Sequence, residues 1–253
     1  ERNFEADGDM RIVFKGVSHT AKVFVDDKFV CEHYNAFTQF EAVVKNLPSG
    51  VHKLSVLVDN SFSEASALHV ENDYQSYGGI SRGVMLEQLP KHYIKQLHFT
   101  PACKDDTWYA QLELVIASLD GKPWKGKVSV SLKGCDDVNE NVLYTQSCST
   151  GAGELVLKSD LIACENAKPW APEHPTLYML SAQLEDEDGK VIDDLIDRVG
   201  FREVRTQGKD ILLNGKKLQI KGFCRHEDVK GKGSALQQED YDKDISLIKE
   251  VGA

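Results

Sequence analysis

The stretch CRHEDVKGKG, residues 224–233, sets Arg225, His226, Glu227 and Asp228 side by side ahead of two glycines. An imidazole flanked by a guanidinium and carboxylates can donate to a hydroxyl, carry a proton or ligate a metal, while Arg225 and Glu227 can pair with each other or bind polar groups. Local sequence leaves two readings open: a ligand-binding loop, or a solvated charged loop whose glycines only turn the chain. A metal site built from 226–228 is disfavoured. Neighbouring residues point in different directions, and no second His stands at the helical spacing of HExxH.

A second cluster lies in ENDYQSYGGISRGVMLEQL, residues 71–89. Asn72, Asp73, Tyr74 and Tyr77 run into Gly78-Gly79, a backbone able to turn tightly or let a ligand approach, and Arg82 interrupts an alternating run. Rings beside a carboxylate suit a sugar, because the rings cover its apolar face and the carboxylate accepts from its hydroxyls. The competing reading is an ordinary loop whose tyrosines pack on their own sheet. In KPWAPEHPTLYML, residues 168–180, Trp170 and Tyr178 read as loop anchors.

The elements that must position these groups are mostly strands. RIVFKG, AKVFVDDKFVCEH, FEAVVKNL and HKLSVLVDN alternate with period two, with turn signals at Asp26-Asp27 and Pro48-Ser49-Gly50. They predict a first β-sandwich over 1–100, jelly-roll-like and short of its opening strands. Pro101 marks the expected boundary. About seven further runs predict an immunoglobulin-like sandwich over 101–205, without the Cys, Trp, Cys spacing of antibody domains. From 206 the pattern changes: DILLNGKKLQIKGF reads as a hairpin closed by Asn214-Gly215, with a strand leading into the charged loop. Tyr241, Ile245, Ile248 and Val251 then share one helical face, and Cys224 is expected to pack in the preceding strand. A strand, a loop and a helix make one βα unit, so 206–253 reads as the start of a truncated parallel barrel, which needs about 250 residues.

Composition narrows the partners. A net charge of -10 over 253 residues argues against nucleic acid or an anionic membrane, both of which attract Lys and Arg. No run approaches the roughly 20 apolar residues of a membrane span. The chain opens ERNFEADGDM, without Met or signal-peptide regions, so localisation stays open. The six cysteines form no CxxC pair and read as reduced thiols.

Four stretches, in order, resemble glycoside hydrolase family 2, the family of β-galactosidases, β-glucuronidases and β-mannosidases. NDYQSYGGISRGVMLE is similar to the end of the family's sugar-binding sandwich, and WAPEHPTLYML to its W-x-P-E-x-P-x-L-Y motif. RVGFREV is similar to the R-x-G-F-R segment leaving the second sandwich, and ILLNGKKLQIKGFCRHEDVKGKG to the segment leading into the catalytic TIM barrel. The resemblance implies a retaining hydrolase of terminal β-glycosides, with a β-galactoside as first expectation and a β-glucuronide as second. The carbohydrate would be its partner, and the complete enzyme a possible homo-oligomer. For the isolated chain the competing class is a non-catalytic carbohydrate-binding or scaffold module.

By position, His226 matches the family's glycone-contacting His, with Arg225 and Glu227 holding its loop. Asp73 matches, within one residue, an acid lent by the sugar-binding domain; the family's other early ligand is expected before residue 11. The resemblance also implies a Glu acting as acid and base and a second, nucleophilic Glu about 5 to 5.5 Å away, both beyond residue 253. No carboxylate here is assigned those roles, and no cofactor is expected within the chain. The divalent cation used by some members would be held mostly by residues outside it.

Overall fold

Period-two alternation becomes antiparallel sheet through most of the chain. The computed structural model describes residues 1–62, 75–135, 140–151 and 153–252. It divides into two units, one made of Glu1–Leu89 with Lys221–Ala253, the other of Pro90–Ile220.

The first unit carries strands β1 (Arg2–Phe14), β2 (Val17–Ser18), β3 (Thr20–Val25), β4 (Lys28–Tyr34), β5 (Phe40–Asp59), β6 (Gly79–Ile80) and β7 (Val84–Gln88). Among the described residues they form a five-stranded sheet in the order β4-β3-β5-β1-β7 and a two-stranded β2-β6 ribbon. The core side is the apolar half of the alternation: Ile12, Phe14, Val17, Ala21 and Val23 are fully buried. The Asp26-Asp27 turn forms as read, with both residues at positive φ, the geometry that matches the twist of a hairpin.

Two local signals are overridden here. ERNFEADGDM, which shows no strand pattern, is the first part of β1, because its backbone pairs with β5 from Arg2 onward. Pro48-Ser49-Gly50 does not reverse the chain; β5 runs straight through it. The sheet absorbs the irregularity as register shifts between Ala6, Gly8 and Met10 of β1. Buried Asp9 accepts the backbone N–H of Asn46 at 2.8 Å, satisfying a donor that the bulge would otherwise strand.

The second unit carries β8 (His92–Lys104), β9 (Thr107–Ser118), β10 (Trp124–Gly134), β11 (Asn141–Thr150), β12 (Glu154–Lys158), β13 (Ile162–Cys164), β14 (Tyr178–Asp186) and β15 (Val191–Val199). One sheet runs β11-β10-β14-β15; in the other, β9 pairs with β8 and with β12 and β13. Inward residues at every second position of β9, β10 and β14, such as Leu112, Leu114, Val128, Val130 and Leu184, meet in one core. Pro101, read as a domain boundary, instead faces Ala110 within β8. It is tolerated because, among the described residues, β8 pairs with β9 alone, which makes it an edge strand.

The WAPEHP stretch is anchored in this unit. Phe201 is fully buried under Phe99 and Tyr178, with ring centroids 5.3 and 5.2 Å away. Trp170 donates its backbone N–H to Phe201 O at 2.8 Å, and the Arg202 guanidinium lies 5.1 Å above the indole. The Tyr178 hydroxyl accepts the Lys168 N–H at 2.7 Å. Strands β16 (Val204–Gln207), β17 (Asp210–Leu213) and β18 (Lys216–Lys217) follow, with Asn214 and Gly215 at positive φ in the hairpin read from sequence.

The strand expected to lead into the charged loop is not formed: β18 ends at Lys217, and no ladder partner exists for 219–228 among the described residues. A strand exists only through its neighbours, and an apolar run without them stays extended but unpaired. Helix α1 (Gln238–Glu250) forms where its periodicity placed it, with Glu239 and Asp240 in the first turn and the Asp240 carboxylate accepting the Gln237 N–H at 2.8 Å. Its apolar face is only partly covered: Tyr241 and Ile248 are half-buried, Ile245 and Val251 are exposed, and no α1 residue is fully buried.

Candidate functional site

The charged loop and the end of the first sheet meet within one unit. Around a cavity of about 600 Å³ stand Ser18 on β2, Phe37 in the β4–β5 loop, Tyr77, and Arg82 just beyond β6. Cys224 through Asp228 and Ser234 complete the wall. The β2-β6 ribbon places the Arg82 region: Val17 pairs with Ile80 and Ser18 with Gly79, and Gly16 O accepts the Ser81 N–H at 3.2 Å. Gly16 lets the two segments approach closely: a Cβ there would lie 3.0 Å from Cδ of Arg82 and 3.2 Å from Ala36 O, so a larger residue would have to push the Arg82 side chain or the Ala36 backbone aside. Gly233, at φ +56, packs under the Tyr77 ring, where a Cβ would come within 3.0 Å of Cδ1. The second glycine of KGKG therefore seats an aromatic wall residue as well as turning the chain.

Ion pairs hold the loop. Arg225 donates from Nε and Nη2 to Asp244 Oδ2 on α1 at 2.8 and 2.6 Å, and its guanidinium lies 5.2 Å over the Tyr241 ring. Glu227 stands between two arginines, 3.4 Å from Arg225 Nη1 and 4.0 Å from Arg82 Nη2. Farther along, Lys232 beside Asp240, with the Gln237 N–H, holds the Asp240 carboxyl below its ordinary range and ties the loop's end to the helix N-terminus. These bonds order the loop without a strand beneath it. His226 is exposed at the cavity wall.

Of the site residues read from sequence, His226, Arg225 and Glu227 thus line one cavity, while Asp73 lies outside the described residues. Cys224, read as strand packing, is instead exposed on the cavity wall, since 219–228 finds no ladder partner among the described residues. Ser18 and Phe37 carry no signal in their local sequence; Ser18 reaches the wall through the pairing of β2 with β6, and Phe37 through the turn that Asn35 makes against His19. Ser18 is the more telling of the two. It is only 7% exposed, so it sets a buried polar group into the cavity wall. Among the described residues no group of three or more His, Cys, Asp or Glu is arranged to hold a metal ion.

A β-rich unit with a polar, aromatic-walled cavity fits a sugar-binding class of protein, and comparison with known proteins agrees. The sugar binding domain of glycosyl hydrolases family 2 matches residues 1–90, the family's central domain 92–202 and its TIM barrel domain 204–253. The chain belongs to glycosyl hydrolases family 2. It is mainly β: a sugar-binding domain, a β-sandwich and the start of the barrel domain.

Among solved structures, a family 2 β-galacturonidase from Eisenbergiella tayi bound to galacturonate matches all of this chain with a TM-score of 0.92 and 49% identity, over 44% of its own length. A putative β-glucuronidase of Formosa agariphila is 29% identical over 99% of this chain and 30% of its own. The β-galactosidase BgaC of Bifidobacterium adolescentis is 28% identical over 98% of this chain and 24% of its own. The chain thus spans about a quarter to under half of the length of these relatives.

Proposed function

We propose that the whole protein hydrolyses terminal β-glycosides with retention, and that its preferred glycone is galacturonate. The observation carrying the glycone is the 49% identity to a β-galacturonidase across the entire chain, against 28–29% for the β-galactosidase and β-glucuronidase relatives. This displaces the β-galactoside favoured from sequence, which remains the second reading because a relative bears that name. The cavity's own charges are neutral on the matter: Arg225 is committed to Asp244 and Arg82 faces Glu227, so neither is an open clamp for a sugar carboxylate.

In this reading His226 and Asp73 contact the glycone hydroxyls, while Arg225 and Glu227 hold the loop. Glu227 and Asp228 do not perform the displacement; the acid/base and nucleophilic carboxylates belong to other parts of the longer protein. Residues 1–253 alone should therefore show no turnover. They should also bind galacturonate or galactose no more tightly than millimolar by calorimetry, a level corresponding to about -4 kcal/mol.

The deciding assay gives the full-length protein nitrophenyl β-galacturonide, β-galactoside and β-glucuronide side by side. The galacturonide should have the highest kcat/KM, and a tenfold preference for the galactoside would refute the assignment. Turnover by residues 1–253 alone would refute the placement of the catalytic pair.

A further inference from the structure

Phe37 is the most exposed apolar group on a wall that is otherwise largely polar. Its residue is 67% exposed, whereas Ser18 on the same cavity is 7% exposed, so the wall combines a buried polar group with an open apolar one. The ring does not ride on a loose tip. Asn35, held at φ +128, donates its N–H to His19 O at 2.9 Å, and its Oδ1 accepts the Phe37 N–H at 2.8 Å. Those two bonds fix the backbone of Phe37 to the segment carrying Ser18, as an Asx-type turn fixes the residue that follows it. The opposite aromatic, Tyr77, is seated on Gly233 and less exposed, at 36%.

A hydrolase of terminal glycosides takes the sugar at the closed end of its cavity and leaves the departing group toward the open end. We propose that Phe37 selects the aglycone, its ring stacking on aromatic or similarly flat, apolar leaving groups. This rests on the reading of the protein as a β-glycosidase. An offset-stacked aromatic pair contributes beyond simple contact area, enough for about a 2- to 10-fold preference. Polar aglycones gain nothing from a phenyl face, so the ring separates leaving groups without touching the glycone.

The test compares phenyl and methyl β-glycosides of one sugar with the full-length protein, made for galacturonate, galactose and glucuronate, using the sugar turned over fastest. Phe37→Ala should lower kcat/KM for the phenyl glycoside about 2- to 10-fold, mainly through KM, and change the methyl glycoside less than about 2-fold. Phe37→Tyr should retain the phenyl preference. Should Phe37→Ala melt early, Phe37→Leu, which keeps apolar volume but removes the planar ring, must show the same selective loss. Equal losses on both substrates, as for a ring that only supports the fold, overturn the proposal, as does an unchanged phenyl-to-methyl ratio. A wild-type preference for another sugar would fail the galacturonate reading alone, because the phenyl-to-methyl ratio is then measured on that sugar and decides the role of Phe37 by itself; absence of turnover on all the substrates would sink both.

Discussion

Asn214 offers a sharp test of how the motifs hold together. It sits at φ +51 in the turn between β17 and β18; its Oδ1 accepts the Glu203 N–H at 3.0 Å and its Nδ2 donates to Trp170 O at 2.9 Å. One carboxamide therefore ties together the WAPEHP loop, the segment leaving the sandwich and the hairpin before the barrel segment. Asn214→Gly keeps the left-handed backbone but removes both side-chain bonds, each worth about 0.5–1.5 kcal/mol, so a loss of about 2 kcal/mol is expected. Asn214→Ala loses the same bonds and, unlike glycine, keeps a Cβ in the left-handed region without the polar side chain that lets asparagine adopt it, so it should fall about 1 kcal/mol or more below the glycine variant, giving about 3 kcal/mol.

The assay is urea unfolding followed by tryptophan emission. All three tryptophans, at 108, 124 and 170, lie within Pro90–Ile220, so the signal isolates the unit that Asn214 belongs to. A glycine variant within about 0.5 kcal/mol of wild type, the range of an inert surface change, would show that the carboxamide carries nothing. A glycine variant less stable than the alanine one would overturn the backbone part of the reasoning.

Three further outcomes are expected. Asp244→Asn removes the charge that anchors Arg225; the full-length protein should lose several-fold in kcat/KM as the His226 loop loosens, with under about 1 kcal/mol lost in stability because the pair is partly exposed, and unchanged kinetics would contradict the clamp. The buried His52 places Nδ1 2.7 Å from the Asp26 carboxylate and Nε2 2.8 Å from Pro48 O, two contacts that the imidazolium form satisfies as a double donor, while Lys28 and Lys53 act on the same Asp26 carboxylate. The Asp26 carboxylate, then the Pro48 carbonyl, raise its pKa above the ordinary 6.5, so its stabilisation is full below 6.5 and fades as pH rises through the raised value. Its partner Asp26, lowered from 3.8 first by His52 and then by the Lys53 N–H, loses its contribution as pH falls through that lowered value. By calorimetry the first unit's melting temperature should fall from pH 6.5 toward 8 in wild type and stay flat in His52→Gln; parallel slopes would exclude the clamp. Finally, iodoacetamide should label Cys135 and Cys224 in the native chain, while burial, which pushes the Cys148 and Cys164 thiols up, should reserve those for the unfolded state, as peptide mass mapping would show.

Much of the fold was legible because its signals are local. Period-two alternation over β9, β10 and β14 and the Asn-Gly and Asp-Asp turns depend on residues two to four apart, and they form as read. The misreadings have the same origin. Pro48 and Pro101 look like breaks because a proline cannot show in sequence whether its strand bulges or lies at an edge, and ERNFEADGDM acquires its strand character only from pairing with β5. The ladder-less 219–228 makes the converse point: an apolar run does not become a strand without a neighbour.

For the site, the sequence by itself determined which polar groups stand next to one another along the chain, Arg225, His226 and Glu227, since adjacency is covalent. Only the tertiary structure decided that these meet Ser18, Phe37 and Arg82 around one cavity, and that Glu227 faces two arginines. Residue 18 reaches the cavity through the pairing of β2 with β6 and residue 226 through ion pairs that hold its loop, and both placements arise from contact energies summed over segments far apart in the chain. No window of sequence contains that sum, so the loop's charges could be read from the chain, while the wall they complete required the fold.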